Sequence, residues 1–229
     1  MKKENTNSEQ ESSSSPALEY HEKEFWDNFY KNRNSYVHNI NWYFDITKVN
    51  IDNFSLYNLS KEDEILIVGA GLSSILDYFS ENDYDKITVF DFSEELVKIL
   101  TDKYNKDWAI DCYDILEIND SFSPDYNVII DKGCLDCILS NQKNGQENFI
   151  KAFNNLLLLL TDDGIIYYFS TAKDREQLLN LGDKIKCKIT KIDMNKDMAN
   201  EYRQFKAEDN IYYLYTIQKT APCLPTPKP

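Results

Sequence analysis

Two glycines, three aspartates and a lysine are spaced so that they could meet around one small molecule. Gly69-Ala70-Gly71-Leu72-Ser73-Ser74 follows the apolar run Glu64–Val68 (EILIV) and precedes a helical pattern. Glycine permits a tight turn and lets a ligand approach the backbone, and the following helix offers free N–H groups and the positive end of its dipole. In a dinucleotide-binding loop the third glycine would fall at position 74, which is Ser74. That departure weakens an NAD or FAD reading without excluding it. Asp91 ends the next apolar run, Lys86–Phe90 (KITVF), 20 residues beyond Gly71. A carboxylate there can accept hydrogen bonds from both hydroxyls of an adenosine ribose. Asp114, just past a third run, Trp108–Cys112, can read an adenine together with the N–H of Ile115, although Asp111 is close by and competes for that place. A fourth run, Tyr126–Ile130 (YNVII), ends in Asp131-Lys132-Gly133.

The elements that must carry these residues alternate. Leu72–Phe79, Ser93–Tyr104 and Asn148–Leu160 have helical patterns. In the last, Phe149, Ala152, Phe153, Leu156, Leu157 and Leu160 recur at helical spacing and form an amphipathic face. Further strands are expected at Ile165–Phe169, Lys184–Ile192 and Ile211–Ile217. The first four strands are short and rich in Ile, Val and Phe, as strands covered on both faces should be. Such alternation predicts right-handed crossovers and an α/β, doubly wound, mostly parallel seven-stranded sheet. No helix separates the last two strands, so they are expected to form an antiparallel hairpin at the sheet edge. Tyr212, Tyr213 and Tyr215 would then lie on an edge strand of alternating exposure. Residues 19–60 are expected to form helices carrying two aromatic clusters, and Phe25, Trp26, Phe29 and Tyr30 suit either core packing or a ligand wall.

Composition bounds the rest. The 229 residues allow one domain, here 19–219, between a Ser/Glu/Asn-rich segment (1–18) and a Pro-rich one (220–229), both expected to be disordered. Only six glycines occur, where average usage of about 7% predicts roughly 16, so those in the loops above stand out. A net charge of −14 argues against nucleic acid and suits a basic protein partner. The longest apolar run, Leu156–Leu160, is far short of a membrane span, and the N-terminus lacks the apolar segment of a secretory signal. Five scattered cysteines suit a cytoplasmic, reduced protein. Cys134 and Cys137 form a CxxC with no second pair and only His21 and His38 as further ligands, so no metal is expected. Ser73 and Ser74 have no histidine placed to activate them as nucleophiles.

The run VGAGLSS, then Asp91, then DKGCLDCIL resembles the seven-strand S-adenosylmethionine-dependent methyltransferases. Within them it is similar to the branch that methylates lysines of translation elongation factor 1A, the group of methyltransferase-like 13 and elongation factor 1A lysine methyltransferase 4. That branch shows a YW-x-x-x-Y/F segment, a D/E-W-Y/F segment, GCGNS and D/EKGTLDAL. This chain has Phe25-Trp26-Asp27-Asn28-Phe29-Tyr30, Asn41-Trp42-Tyr43, Gly69-Ala70-Gly71-Leu72-Ser73 and Asp131-Lys132-Gly133-Cys134-Leu135-Asp136, so the likeness spans about residues 20–170. It implies a Rossmann-like fold with an antiparallel last strand and N-terminal helices. It also implies S-adenosylmethionine as cofactor and a monomeric enzyme acting on a protein lysine. Trp26, Tyr30 and Trp42 would close over the cofactor, with Gly69, Ala70 and Gly71 under its methionine part. Asp91 and Phe92 would lie at the ribose, Asp114 and Ile115 at the adenine, and Asp131 and Lys132 beside the fourth strand, with Asp131 placed to orient the acceptor amine. Ala70, Leu72, Cys134 and Cys137 depart from the branch pattern, which bears on the substrate more than on the cofactor. A small-molecule amine acceptor is the alternative. A silent binding module is a further one, against which the intact Gly69, Gly71, Asp91 and DKG tripeptide argue.

Overall fold

A computed structural model describes residues 19–32, 41–49, 54–104, 108–119, 122, 125–179, 181–182, 185–194 and 210–219. Both terminal segments read as disordered from sequence lie outside the described residues. Seven strands form one sheet: β1 (Ile65–Val68), β2 (Ile87–Asp91), β3 (Ala109–Cys112), β4 (Tyr126–Lys132), β5 (Leu160–Ser170), β6 (Ile185–Asp193) and β7 (Ile211–Lys219). Their order across the sheet is β3-β2-β1-β4-β5-β7-β6. β1 pairs in parallel with both β2 and β4, so the strand order reverses direction there, and the crevice at the carboxyl ends of these strands is where ligands of open α/β sheets bind. β7 runs antiparallel to β5 and to β6.

The four residues of β1 show why the sheet is covered on both faces. Successive side chains of a strand point to opposite sides. Ile65 and Ile67 enter one core, with Phe44, Leu76, Phe79 and Leu96, while Leu66 and Val68 enter the other, with Phe149, Phe153 and Leu156. Burying each such side chain contributes about 1.5–3 kcal/mol. The first core is closed by α2 (Ser74–Glu81), α3 (Glu94–Lys103) and the N-terminal segment, the second by α4 (Cys134–Leu139) and α5 (Gly145–Leu159). No helix among the described residues is long and apolar enough to cross a membrane.

Three expectations need correction. β3 is an exposed edge strand, not one buried on both faces, because among the described residues nothing pairs with its outer side. The other edge is β6, not the tyrosine strand: β7 inserts between β5 and β6, and Tyr212 and Tyr215 are fully buried. Exposed Lys186, Lys188 and Lys191 line the edge strand β6, a pattern that discourages strand-to-strand association. Between 19 and 60 the described residues hold a single α-helix, α1 (Lys23–Lys31), and two 3-10 turns, Ile46–Lys48 and Leu56–Asn58. Side-chain oxygens in this segment compete with helix formation: Asp45 Oδ1 accepts from Thr47 N at 3.1 Å and so caps a single turn.

Candidate functional site

The site begins with two turns that only glycine makes easily. Gly69 and Gly71 have φ of +55° and +56°, and a Cβ on Gly69 would lie 2.6 Å from Cys134 Cβ. Gly133, at φ +101°, starts α4, and a Cβ there would lie 2.7 Å from Trp42 Cδ1. Glycine at these positions lets the β1 loop, the β4 loop and the Trp42 indole close on one cavity. Ser73 caps α2, and Ser74 Oγ donates to Asp45 Oδ1 at 2.6 Å. Both hydroxyls are therefore committed to structure, and Ser74 ties the 41–49 segment to the start of α2.

Eleven of the twelve residues singled out from sequence line this cavity: Trp26, Tyr30, Trp42, Gly69, Ala70, Gly71, Asp91, Phe92, Asp114, Ile115 and Lys132. Asp91 is 8% exposed and accepts backbone hydrogen bonds from Ser93, at 3.0 Å, and from Gly71 and Phe92. Burial nevertheless pushes its carboxyl up to about 6, and the nearby Asp27 carboxylate adds to that. Asp114 caps the 3-10 turn Ile115–Glu117, accepting from Leu116 N at 2.8 Å. Asp111 is exposed on β3 and does not line the cavity, whereas Asp114 does.

Asp131 is the exception. Its side chain is fully buried, and its two oxygens accept from the N–H groups of Gly133, Cys134 and Leu135 at 2.9–3.0 Å. It caps α4 because Gly133, the residue before that helix, has no side chain to do so. Burial and the neighbouring Asp136 carboxylate push its carboxyl up to about 7. Asp131, expected beside the ligand, does not line the cavity: it shapes the loop from behind.

Aromatic side chains close the cavity from the N-terminal side. Trp26 Nε1 donates to the Tyr20 carbonyl at 2.8 Å, Tyr30 stacks on Trp26 at 5.9 Å, and Trp42 meets Trp26 edge-on at 5.3 Å. α1 is held there through Asp27, which accepts from Ser93 Oγ at 2.6 Å, and Lys23, which pairs with Glu94 at 2.7 Å. Lys132 lies at the end of β4, its Nζ donating to the Trp42 carbonyl and facing the Phe44 ring at 5.9 Å. Burial pulls its ammonium down to about 7, against the opposing pull of the Asp45 and Asp131 carboxylates. Sequence reasoning missed Tyr20, Phe29, Tyr113, Leu116, Cys134 and Cys137 as lining residues. Phe29 could have been found one turn from Trp26, and the two cysteines one turn apart on α4. No cluster of metal-ligating side chains occurs among the described residues.

Asp136 is the hub that fixes α4. It accepts from Tyr43 Oη at 2.7 Å, Tyr168 Oη at 2.6 Å, Ser170 Oγ at 2.7 Å and Arg175 Nε at 3.0 Å. The N-terminal segment, the end of β5 and the turn after it thus converge on the helix that Asp131 caps.

The cavity offers acids beyond β2 and β3, an open glycine turn beyond β1 and a cation at the end of β4. Such a row fits an adenosine with a polar substituent. No protein-family model matches the chain, and no curated protein matches its sequence. Among solved structures, one from work on the conversion of a disulfide bond into a thioacetal group during echinomycin biosynthesis superposes with a TM-score of 0.57. It is 12% identical over 86% of this chain and 91% of that one. The likeness shows the fold: an open, Rossmann-like α/β sheet whose last strand is antiparallel. The N-methyltransferase NodS from Bradyrhizobium japonicum WM9, in complex with S-adenosylhomocysteine, reaches 0.49 at 12% identity over 69% of this chain and 78% of its own. The plantazolicin methyltransferase BpumL, with a triazolic analogue and S-adenosylhomocysteine, reaches 0.49 at 16% identity over 90% and 86%. These two superpose too loosely to add to the assignment.

Proposed function

We propose that this chain is a methyltransferase that uses S-adenosylmethionine. The observation that carries this reading is the convergence of Gly69, Gly71, Asp91, Asp114 and Ile115 on one cavity at the carboxyl edge of β1, β2 and β3. Asp91 is a buried carboxylate suited to two ribose hydroxyls, and Asp114 with the Ile115 N–H suits an adenine. When bound, the cofactor supplies a sulfonium methyl for direct displacement. The chain's own part is to hold the acceptor in line, uncharged and away from water, which proximity and exclusion of solvent favour by several kcal/mol. Trp26, Phe29 and Trp42 supply the wall that excludes water. No residue is assigned as general base.

Calorimetry tests the cofactor. The chain should bind S-adenosylhomocysteine, and Asp91→Ala should weaken binding about 100-fold, as loss of two hydrogen bonds to a charged group implies. Binding of NAD in its place would sink the reading.

The finer reading is a protein lysine acceptor, with translation elongation factor 1A as the protein, in a cytoplasmic monomer. It rests on the sequence segments Phe25–Tyr30, Asn41–Tyr43 and Asp131–Asp136 and on the acidic charge. A small-molecule amine is the alternative. In a lysate given labelled cofactor, one labelled band at the mass of elongation factor 1A supports the protein acceptor, and label confined to the small-molecule fraction refutes it.

A further inference from the structure

We propose that Tyr43 is a positioning residue: moored to Asp136, it holds a strained turn that sets the Trp42 ring at the cavity. The assignment rests on the cofactor reading above. Tyr43 has φ +66°. A bulky L side chain is disfavoured there, because its Cβ crowds the neighbouring carbonyl. The Phe44 N–H donates to the Trp42 carbonyl at 2.8 Å, two residues back. Trp42, Tyr43 and Phe44 thus make the rare, strained form of γ-turn, the one whose central φ is positive.

Such a turn persists only where its surroundings hold it. The holds are on Tyr43 itself. Its phenol donates to Asp136 Oδ2 at 2.7 Å, and its carbonyl accepts from Tyr212 Oη at 3.1 Å. Its ring is buried, 5.5 Å from the Tyr212 ring. The anchor is firm, because Tyr168, Ser170 and Arg175 also donate to Asp136. A hydroxyl on an ionised carboxylate is a charge-assisted bond, stronger than a neutral one.

The turn delivers its neighbour to the site. Trp42 lines the cavity and Tyr43 does not. Both rings meet the Gly133 turn: a Cβ there would lie 2.7 Å from Trp42 Cδ1 and 3.3 Å from Tyr43 Cζ. Without its mooring, Tyr43 would relax to negative φ and redirect the residue before it. The Tyr43 hydroxyl therefore acts on the ligand through Trp42.

A double-mutant cycle read by calorimetry with S-adenosylhomocysteine tests this. Tyr43→Phe removes only the hydroxyl and should weaken binding at least about tenfold, the loss of one bond to a charged group. In a Trp42→Leu background the same change should alter affinity less than about twofold. Equal weakening in both backgrounds overturns the assignment, because a hydroxyl that merely braces α4 would act whether or not Trp42 is present. No weakening in the Trp42 chain overturns it too. If the Trp42→Leu background binds too weakly to titrate, amide exchange decides: the Phe44 N–H should exchange faster in Tyr43→Phe without ligand, and unchanged exchange refutes the latch. If Tyr43→Phe does not fold, Tyr212→Phe, which frees the other end of the turn, takes its place under the same outcomes. A wild-type chain that does not bind S-adenosylhomocysteine sinks the cofactor reading itself, and the assignment falls with it.

Discussion

Asp91 and Asp131 stand in nearly equivalent places: each lies at the carboxyl end of a buried parallel strand, just before a helix, with its carboxyl pushed up by burial. Their roles differ because the residues that follow them differ. After Asp91 comes Ser93, whose hydroxyl caps α3 by accepting from Leu96 N at 3.3 Å. With the helix served by its own cap, Asp91 can line the cavity while accepting from the turn beneath it. After Asp131 comes Gly133, which has no side chain, so the carboxylate two residues upstream is drawn in to cap α4. Whether a strand-end aspartate faces ligand or protein is thus decided by the residue two positions later.

The largest effect should come from breaking the cap. Asp131→Ala leaves three buried N–H groups without an acceptor, a loss of about 4 kcal/mol at roughly 1–3 kcal/mol for each unsatisfied group. For a domain of this size that is a fall of roughly 10 °C in Tm. The sign of its pH dependence follows from the raised carboxyl. The folded state holds the Asp131 proton more tightly than the unfolded chain, so this contribution is complete below about pH 4 and is lost as pH rises to about 7. Thermal unfolding of wild type and Asp131→Asn at pH 5 and pH 7.5 checks this: the neutral amide should show the smaller change between the two. Equal pH dependence in both would mean that Asp131 is not the buried, proton-holding group described here.

The same comparison marks how far the sequence could be read. Strand ends, the glycine turn and the 20-residue step to Asp91 depend on local patterns, which is why Gly69, Gly71, Asp91 and Asp114 were found at their places. The direction of the Asp131 side chain depends on which partner competes for it, and that follows from capping geometry, not from spacing. Strand pairing is non-local in the same way. Apolar alternation placed a strand at Ile211–Ile217, but nothing local said that β7 would enter between β5 and β6 and bury Tyr212 and Tyr215. The N-terminal segment misled for another reason. The stripe Phe25, Trp26, Phe29 and Tyr30 does form a helix, but further on Asn41 and Asp45 are drawn into bonds with Ser74 across the chain.

The smallest of these effects, about 1.4 kcal/mol, separates the two aspartates most cleanly. Hydroxyl donors of a ribose favour an ionised Asp91, so protonating it weakens ligand binding. With its carboxyl near 6, affinity for S-adenosylhomocysteine should be roughly tenfold lower at pH 5 than at pH 7, about a decade per pH unit below the midpoint. The groups that bear on this window are Asp27 beside Asp91, and Lys132 with Asp45 and Asp131 beside it. Lys132 gains its proton over the same window, and Asp91→Asn separates its contribution from that of Asp91. Asp91→Asn should bind weakly at both pH values, with no fall at the lower one. Asp131→Asn should keep the wild-type profile, because its carboxyl titrates behind the cavity wall. A profile flattened by Asp131→Asn and preserved by Asp91→Asn would reverse the assignment of ligand-facing and protein-facing carboxylates.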